Sequence, residues 1–191
     1  HPKKRRQLKK EIEPSRKNKT LTYRIQHVHD FAFCADPEFL LLKDTMEIEG
    51  KPVTIQSFVK MSHLDGWKDC NTYLKDALDY YSKEIGPYTY NVFSLVDVDD
   101  ITGGDMEYPT LAWINNSYSL EEAIVHEVGH NWFYGVIATN ERDEHWMDEG
   151  INTFYESKFF TEKYPDTRIH FYADWLDGEV FPFYQQSNME Y

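Results

Sequence analysis

The sequence predicts an α+β domain, because strand-like stretches dominate its first half and helices its second. Phe39–Ile48, Val53–Met61 and Asn91–Val98 are short runs of β-forming residues bounded by turn signals. Asp69–Ile85, Leu120–Ile137 and Trp146–Lys163 instead place apolar residues three and four apart, the period of an amphipathic helix. At 191 residues and 41% apolar content the chain is long enough for one well-buried core and does not require two.

Taken in order, residues 1–19 have almost no apolar periodicity, and Pro14-Ser15-Arg16-Lys17-Asn18 reads as a turn. Leu21–Phe33 is β-like, with Val28, Phe31 and Phe33 as candidate core residues, until Asp36-Pro37 breaks it. Glu49-Gly50 then joins the Phe39–Ile48 strand to the next, where Val53, Ile55, Phe58 and Val59 supply the apolar positions. The first helix runs Asp69–Ile85 on Leu74, Ala77, Leu78, Tyr81 and Ile85, and Gly86-Pro87 stops it. A loop over 99–104 follows Asn91–Val98. Glu107–Ile114 then looks extended, with Pro109 arguing for an edge strand because a central one would lose a ladder bond. Ser119 and Glu122 form a capping box for the helix from Leu120, whose apolar surface comes from Ile124, Val128, Phe133 and Ile137. Thr139–His145 is a polar loop, Tyr164-Pro165 closes the last long helix, and a short helix is expected around His170–Leu176.

Charge and cysteine content exclude several classes. Residues 1–24 hold ten basic and two acidic residues, while the rest holds ten basic and 31 acidic, so a net charge of −13 covers a basic tail on an acidic body. The body disfavours nucleic acid and favours cationic ligands. The tail reads as a solvated linker or the end of a preceding domain. No apolar run approaches the roughly 20 residues of a membrane span, and the N-terminus has no segment of signal-peptide type. The chain opens on His1 rather than Met, so it is expected to be a processed or excised piece, and neither compartment nor oligomeric state follows from it. Cys34 and Cys70 are too few for a disulfide framework and read as small buried hydrophobes.

The chemistry gathers at His126-Glu127-Val128-Gly129-His130. Two histidines four apart share one helix face, so both imidazoles can reach one metal ion, with Glu127 on the flank. A zinc site that works on water needs a third protein ligand and an open position. Glu149 offers that ligand from Trp146-Met147-Asp148-Glu149-Gly150, with 18 residues between it and His130. A third histidine six residues on is ruled out, because Val136 stands there. Asn152 and Glu156, about one and two turns beyond Glu149, fit either ligand support or a plain helix face.

These motifs resemble the aminopeptidase N family of gluzincin zinc peptidases. Gly104-Asp105-Met106-Glu107-Tyr108 is similar to that family's G-x-M-E-N signature, and Trp146–Gly150 to its W-L-N-E-G. The resemblance implies a thermolysin-like (zincin) catalytic domain over 22–191, C-terminally incomplete, with an N-terminal mixed sheet and exposed edge strand followed by zinc-binding helices. Residues 1–21 would be a linker or the remnant of a preceding β-domain. It further implies one zinc ion on His126, His130 and Glu149, and Glu127 as general base for metal-activated water. Glu107 would hold the α-ammonium of a peptide with a free N-terminus, and Gly103, Gly104 and Met106 would lie along that substrate.

Tyr108 and Asp148 stand where the family has Asn, which blurs any residue preference. The family's transition-state tyrosine would fall beyond Tyr191, and neither Tyr184 nor Tyr191 replaces it. A zinc endopeptidase on the same core and a zinc-loaded but catalytically incompetent module are the alternatives.

Overall fold

The computed structural model describes residues 17–98, 104–115 and 119–165. The expected basic stretch before residue 17, Gly103, the helix around His170–Leu176, Tyr184 and Tyr191 lie outside those residues.

Among the described residues, a four-stranded mixed sheet and three α-helices make up the fold. Strands β1 (Phe39–Ile48) and β2 (Lys51–Lys60) form an antiparallel hairpin in which Ile48 faces Lys51. Both connecting residues have positive φ, 49° at Glu49 and 76° at Gly50, the backbone of a two-residue turn whose twist matches its strands. Helix α1 (Cys70–Glu84) then carries the chain across to β3 (Val92–Val98), parallel to β2, and β4 (Leu111–Asn115) is added parallel to β3. Along β2 the residues Val53, Ile55, Ser57 and Val59 are buried and their neighbours are not, so the pleat sends every second side chain into the core. The central strand β3 is buried at five successive positions, Phe93 to Asp97, as expected of a strand covered on both faces.

Helix α1 buries Cys70, Leu74, Ala77, Leu78 and Tyr81 against the sheet and against helix α2 (Leu120–His130). Helix α2 continues into a π-helical turn, Asn131–Val136. After the loop, a second π-helical turn, Trp146–Gly150, leads into α3 (Ile151–Lys163), which packs back on α2. Trp132 anchors this join. Its ring stacks on Tyr81 at 5.4 Å between centroids, and its Nε1 donates to the Gly86 carbonyl at 2.8 Å. No described helix is long and apolar enough to cross a membrane.

Several expectations need correction. Leu21–Phe33 forms no strand, and Phe31 and Phe33 are 58% and 76% exposed. His27 takes φ 61°, and tyrosine hydroxyls hold the segment instead of a ladder: Tyr90 donates to the His27 carbonyl and Tyr134 to Asp30. Glu107–Ile114 is not one strand either. The chain turns at Tyr108–Thr110, so that Met106 pairs antiparallel with Trp113 along β4. β4 is indeed the last strand in the order, but Pro109 sits in the turn rather than in the ladder. Phe58 lies on the outer face, against Phe39, and Ile137 is 55% exposed because the helical run ends at Val136. Ser119 does occupy the N-cap, without a side-chain bond to the helix among the described residues. Its expected partner Glu122 lies one turn before His126 and feels the charges of Glu156 and His126. Of the two free cysteines, Cys70 is fully buried and Cys34 only partly.

Gly129 marks the closest approach of the three helices. A Cβ there would stand 1.9 Å from Asn152 Oδ1 on α3 and 2.7 Å from the Tyr81 hydroxyl on α1. Neither neighbour can yield cheaply, since Tyr81 is fully buried and Asn152 Nδ2 is committed to the His126 carbonyl at 2.8 Å. Gly129→Ala is expected to destabilise the fold by about 1–3 kcal/mol through overpacking. Thermal unfolding should show it as a midpoint several degrees lower.

Candidate metal centre

Helix α2 sets the two imidazoles one turn apart, and α3 returns beside it so that Glu149 meets them. The Nε2 atoms of His126 and His130 are 3.0 Å apart, and Glu149 Oε2 lies 3.2 Å from the first and 3.6 Å from the second. Ligands on a tetrahedral zinc ion at about 2.0–2.1 Å would stand about 3.3 Å from one another. The triangle therefore has the size of one face of such a site. His130 is buried, and Glu149 keeps a 56% exposed side chain, so the centre is dry on the helix side and open on the other.

Each imidazole is aimed by a carboxylate behind it. His130 Nδ1 lies 2.6 Å from Asp148 Oδ1, and His126 Nδ1 lies 3.0 Å from Glu156 Oε2. With Nδ1 engaged, Nε2 is the nitrogen left for a metal, the arrangement that fixes tautomer and ring orientation in metal-binding histidines. Both supports are buried, Asp148 2% and Glu156 6% exposed. Asn152 adds a third constraint through its bond to the His126 carbonyl. Asn152 and Glu156 thus face the site rather than forming a plain helix face. The role of Asp148 behind His130 did not emerge from the sequence. The available signal was a carboxylate directly beside the third candidate ligand.

Charge at the centre is unbalanced without a cation. Burial opposes a proton on His130, but hydrogen bonding to Asp148 and then Glu149 outweighs it and the ring is pushed up to about 10. His126 is likewise raised well above its ordinary value, burial opposing and Glu149 and Glu156 prevailing. Burial also opposes ionisation of Glu149, yet the two histidines hold its carboxyl well below the usual range. Glu127 is 4% exposed and pushed up to about 8 by burial, with His126 and His130 opposing and Glu107 and Asp105 adding. Its Oε2 has no hydrogen-bond partner among the described residues. Burial raises Glu107 as well, with His130 opposing. Glu107, His130 and Asp148 bring one donor atom each within 4.8 Å of one another, and all three residues are buried.

The structure therefore brings together His126, His130, Glu149, Glu127 and Glu107. Gly104 and Met106 belong to the stretch along the β4 edge, where Met106 exchanges both backbone bonds with Trp113. Gly103 is outside the described residues.

No protein-family model matches the chain. Aminopeptidase B of Homo sapiens is 25% identical over 100 residues, covering 49% of this chain and 15% of the relative. A probable aminopeptidase 1 of Sulfurisphaera tokodaii is 26% identical over 117 residues, covering 52% and 15%. Among solved structures, Legionella pneumophila aminopeptidase A overlays with a TM-score of 0.57 at 17% identity, over 65% of this chain and 16% of that one. An M1 zinc metallopeptidase variant from Deinococcus radiodurans overlays at 0.53 and 17% identity, over 72% and 32%. The chain spans a small part of the length of these relatives. The resemblance read from the motifs is matched by sequence relatives named aminopeptidases, and the structural overlays place the fold with those of an aminopeptidase and an M1 zinc metallopeptidase.

Two outcomes are expected of the centre. His126→Ala and Glu149→Ala should each abolish zinc uptake, measured as metal per chain after dialysis, whereas Asp148→Ala and Glu156→Ala should weaken it by about 10–100-fold. Because zinc must displace protons from histidines raised above neutrality, apparent zinc affinity should rise with pH through the neutral range. The gain should be about tenfold per pH unit for each proton released, which calorimetry in buffers of different ionisation enthalpy counts directly.

Proposed function

We propose that this chain carries the catalytic core of a zinc aminopeptidase of thermolysin-like fold, removing residues from the free N-termini of peptides. The observation that supports this reading best is that one ligand triangle has two buried carboxyl groups near it with different work available, Glu127 and Glu107. Zinc on His126, His130 and Glu149 would polarise the scissile carbonyl and bring the pKa of water to about 7.

Glu127 would accept the proton of the attacking water as the C–O bond forms. It would deliver that proton to the departing amine nitrogen as the C–N bond breaks. Its unpartnered Oε2 is available to accept, and a proton affinity near neutrality suits a group that must take and return a proton in one cycle. Glu107 would bind the α-ammonium. It is 8% exposed, and among the described residues the charged groups acting on it are His130, Asp148 and Glu149 rather than a lysine or arginine, so a substrate cation would supply the countercharge that burial demands. Backbone along Gly104–Met106, and Gly103 before it, would run beside the extended substrate at the sheet edge.

An endopeptidase on the same core would have no use for a buried anion beside the scissile bond. Glu107 therefore favours the aminopeptidase. With zinc-loaded protein, Glu127→Ala should keep its metal and lose about 10²–10⁴ in turnover. Glu107→Ala should erase the preference for a free amino-acid anilide over its N-blocked analogue. Preference of the unaltered protein for the blocked substrate would overturn the proposal.

A further inference from the structure

We propose that Asn131 is a positioning residue for amine recognition: its side-chain amide clasps the turn bearing Glu107 to the end of the metal helix. It thereby sets where an α-ammonium sits relative to His130. The inference rests on the aminopeptidase reading above.

Asn131 follows His130 directly and is fully buried. Its Oδ1 accepts the Thr110 backbone N–H at 3.0 Å, and its Nδ2 lies 3.4 Å from the carbonyls of both Glu127 and Val128. One side chain therefore bridges the helical turn of the candidate base and the turn that follows Glu107. A core amide placed only to fill space would need partners too, but these partners are specific. Thr110 takes φ 66°, a left-handed backbone that a β-branched residue rarely adopts unaided. Such a conformation persists where the surroundings over-determine it. Two buried contacts do so here, the Asn131 acceptor on the Thr110 N–H and the Ser94 N–H on the Thr110 carbonyl, and Asn131 is the one that comes from the metal-site helix end.

On its other side Glu107 is fixed by the sheet. Met106 donates to and accepts from Trp113 at 3.0 and 2.8 Å, and the Asp105 carboxylate accepts the Asn115 N–H. Leu111 N–H closes the turn on the Tyr108 carbonyl at 2.9 Å. Sheet pairing thus locates Glu107 along the edge and also holds the far end of its turn, where the Ser94 N–H donates to the Thr110 carbonyl at 2.8 Å. Among the described residues, the side-chain bond that ties this end to the helix carrying His126 and His130 is that of Asn131. Glu107 already shares a 4.8 Å cluster with His130, so a small swing of the turn would take the anion away from the ligand set. Displacements of about 1 Å in positioning groups can cost on the order of 100-fold.

The test uses the zinc-loaded protein and two probes, leucine hydroxamate and its N-acetyl derivative, which share the metal-binding group and differ in the α-ammonium. Affinities are measured by calorimetry, with zinc content and exchange of the Thr110 amide hydrogen followed beside them. Asn131→Ala is expected to keep one zinc and its affinity for the acetylated probe, to expose the Thr110 amide to faster exchange, and to lose about tenfold or more of the free-amine preference. Adding Thr110→Gly, which adopts positive φ without strain, should restore part of that preference. Asn131→Asp keeps the acceptor and should keep the preference even where the alanine variant is too unstable to measure.

Unchanged preference in Asn131→Ala, despite a freely exchanging Thr110 amide, would overturn the inference. So would parallel loss of both probes together with zinc. If the unaltered protein binds both probes equally, the aminopeptidase reading itself fails and the inference goes with it, a result visible before any variant is made.

Discussion

Asp148 and Glu156 engage the Nδ1 atoms of His130 and His126 at 2.6 and 3.0 Å, and the directionality of the centre depends on that pair of contacts. An imidazole held at one nitrogen presents the other along a fixed line, and here both lines meet at Glu149. Removing either support would leave a ring free to rotate about its side-chain bonds and would strand a polar nitrogen in the core. Burying the supporting carboxylates is costly by itself. The cost is tolerated because each lies against an imidazole that can carry positive charge or bind a cation.

Helix packing makes those contacts possible. α3 must approach α2 closely enough for Asn152 to reach the His126 carbonyl and for Glu156 to reach its ring. Gly129 permits this by leaving no Cβ between Asn152 and Tyr81. Tyr81 in turn stacks on Trp132, which is hydrogen-bonded to Gly86 at the end of α1. The metal helix is thereby keyed at one level to both neighbours, and the ligands lie one turn before and one residue after the glycine. The two π-helical turns occur next to this level, after His130 and around Glu149, at the places where the ligand-bearing backbone leaves regular α geometry.

Much of this was legible in the sequence, and the failures have identifiable causes. β1, β2, α1, β3 and α2 follow from short-range periodicity, which is a property of the residues themselves. The juxtaposition of His126, His130 and Glu149 follows from helical spacing plus one carboxylate after a loop of suitable length. Leu21–Phe33 misled because its apolar residues alternate like a strand, yet the bonds that hold it come from tyrosine hydroxyls elsewhere in the chain, Tyr90 on His27 and Tyr134 on Asp30. Glu107–Ile114 misled because Thr110 is a poor left-handed residue by propensity, and its turn is held by Asn131 from another element. Asp148 was passed over for the same reason. Its meaning lies in a partner on α2, and no local pattern announces a contact between residues 18 apart in sequence.

The acidity of the centre then connects metal, substrate and stability. Asp105, Glu107, Glu127, Asp148, Glu149 and Glu156 converge on two histidines, and among the described residues none of the six pairs with a lysine or arginine. Without a cation, the histidines and Glu127 can lower this charge only by holding protons, which is the direction in which all three are displaced. A dication held by His126, His130 and Glu149 would replace those protons and favour the ionised form of Glu127. Glu107 lies within 4.8 Å of the His130 and Asp148 donor atoms, so on the proposed reading its negative charge would meet a free α-ammonium beside the metal. On the proposed reading, metal binding and amine recognition would be two parts of one charge balance, and a ligand that supplies either cation should also stabilise the fold that presents the carboxylates.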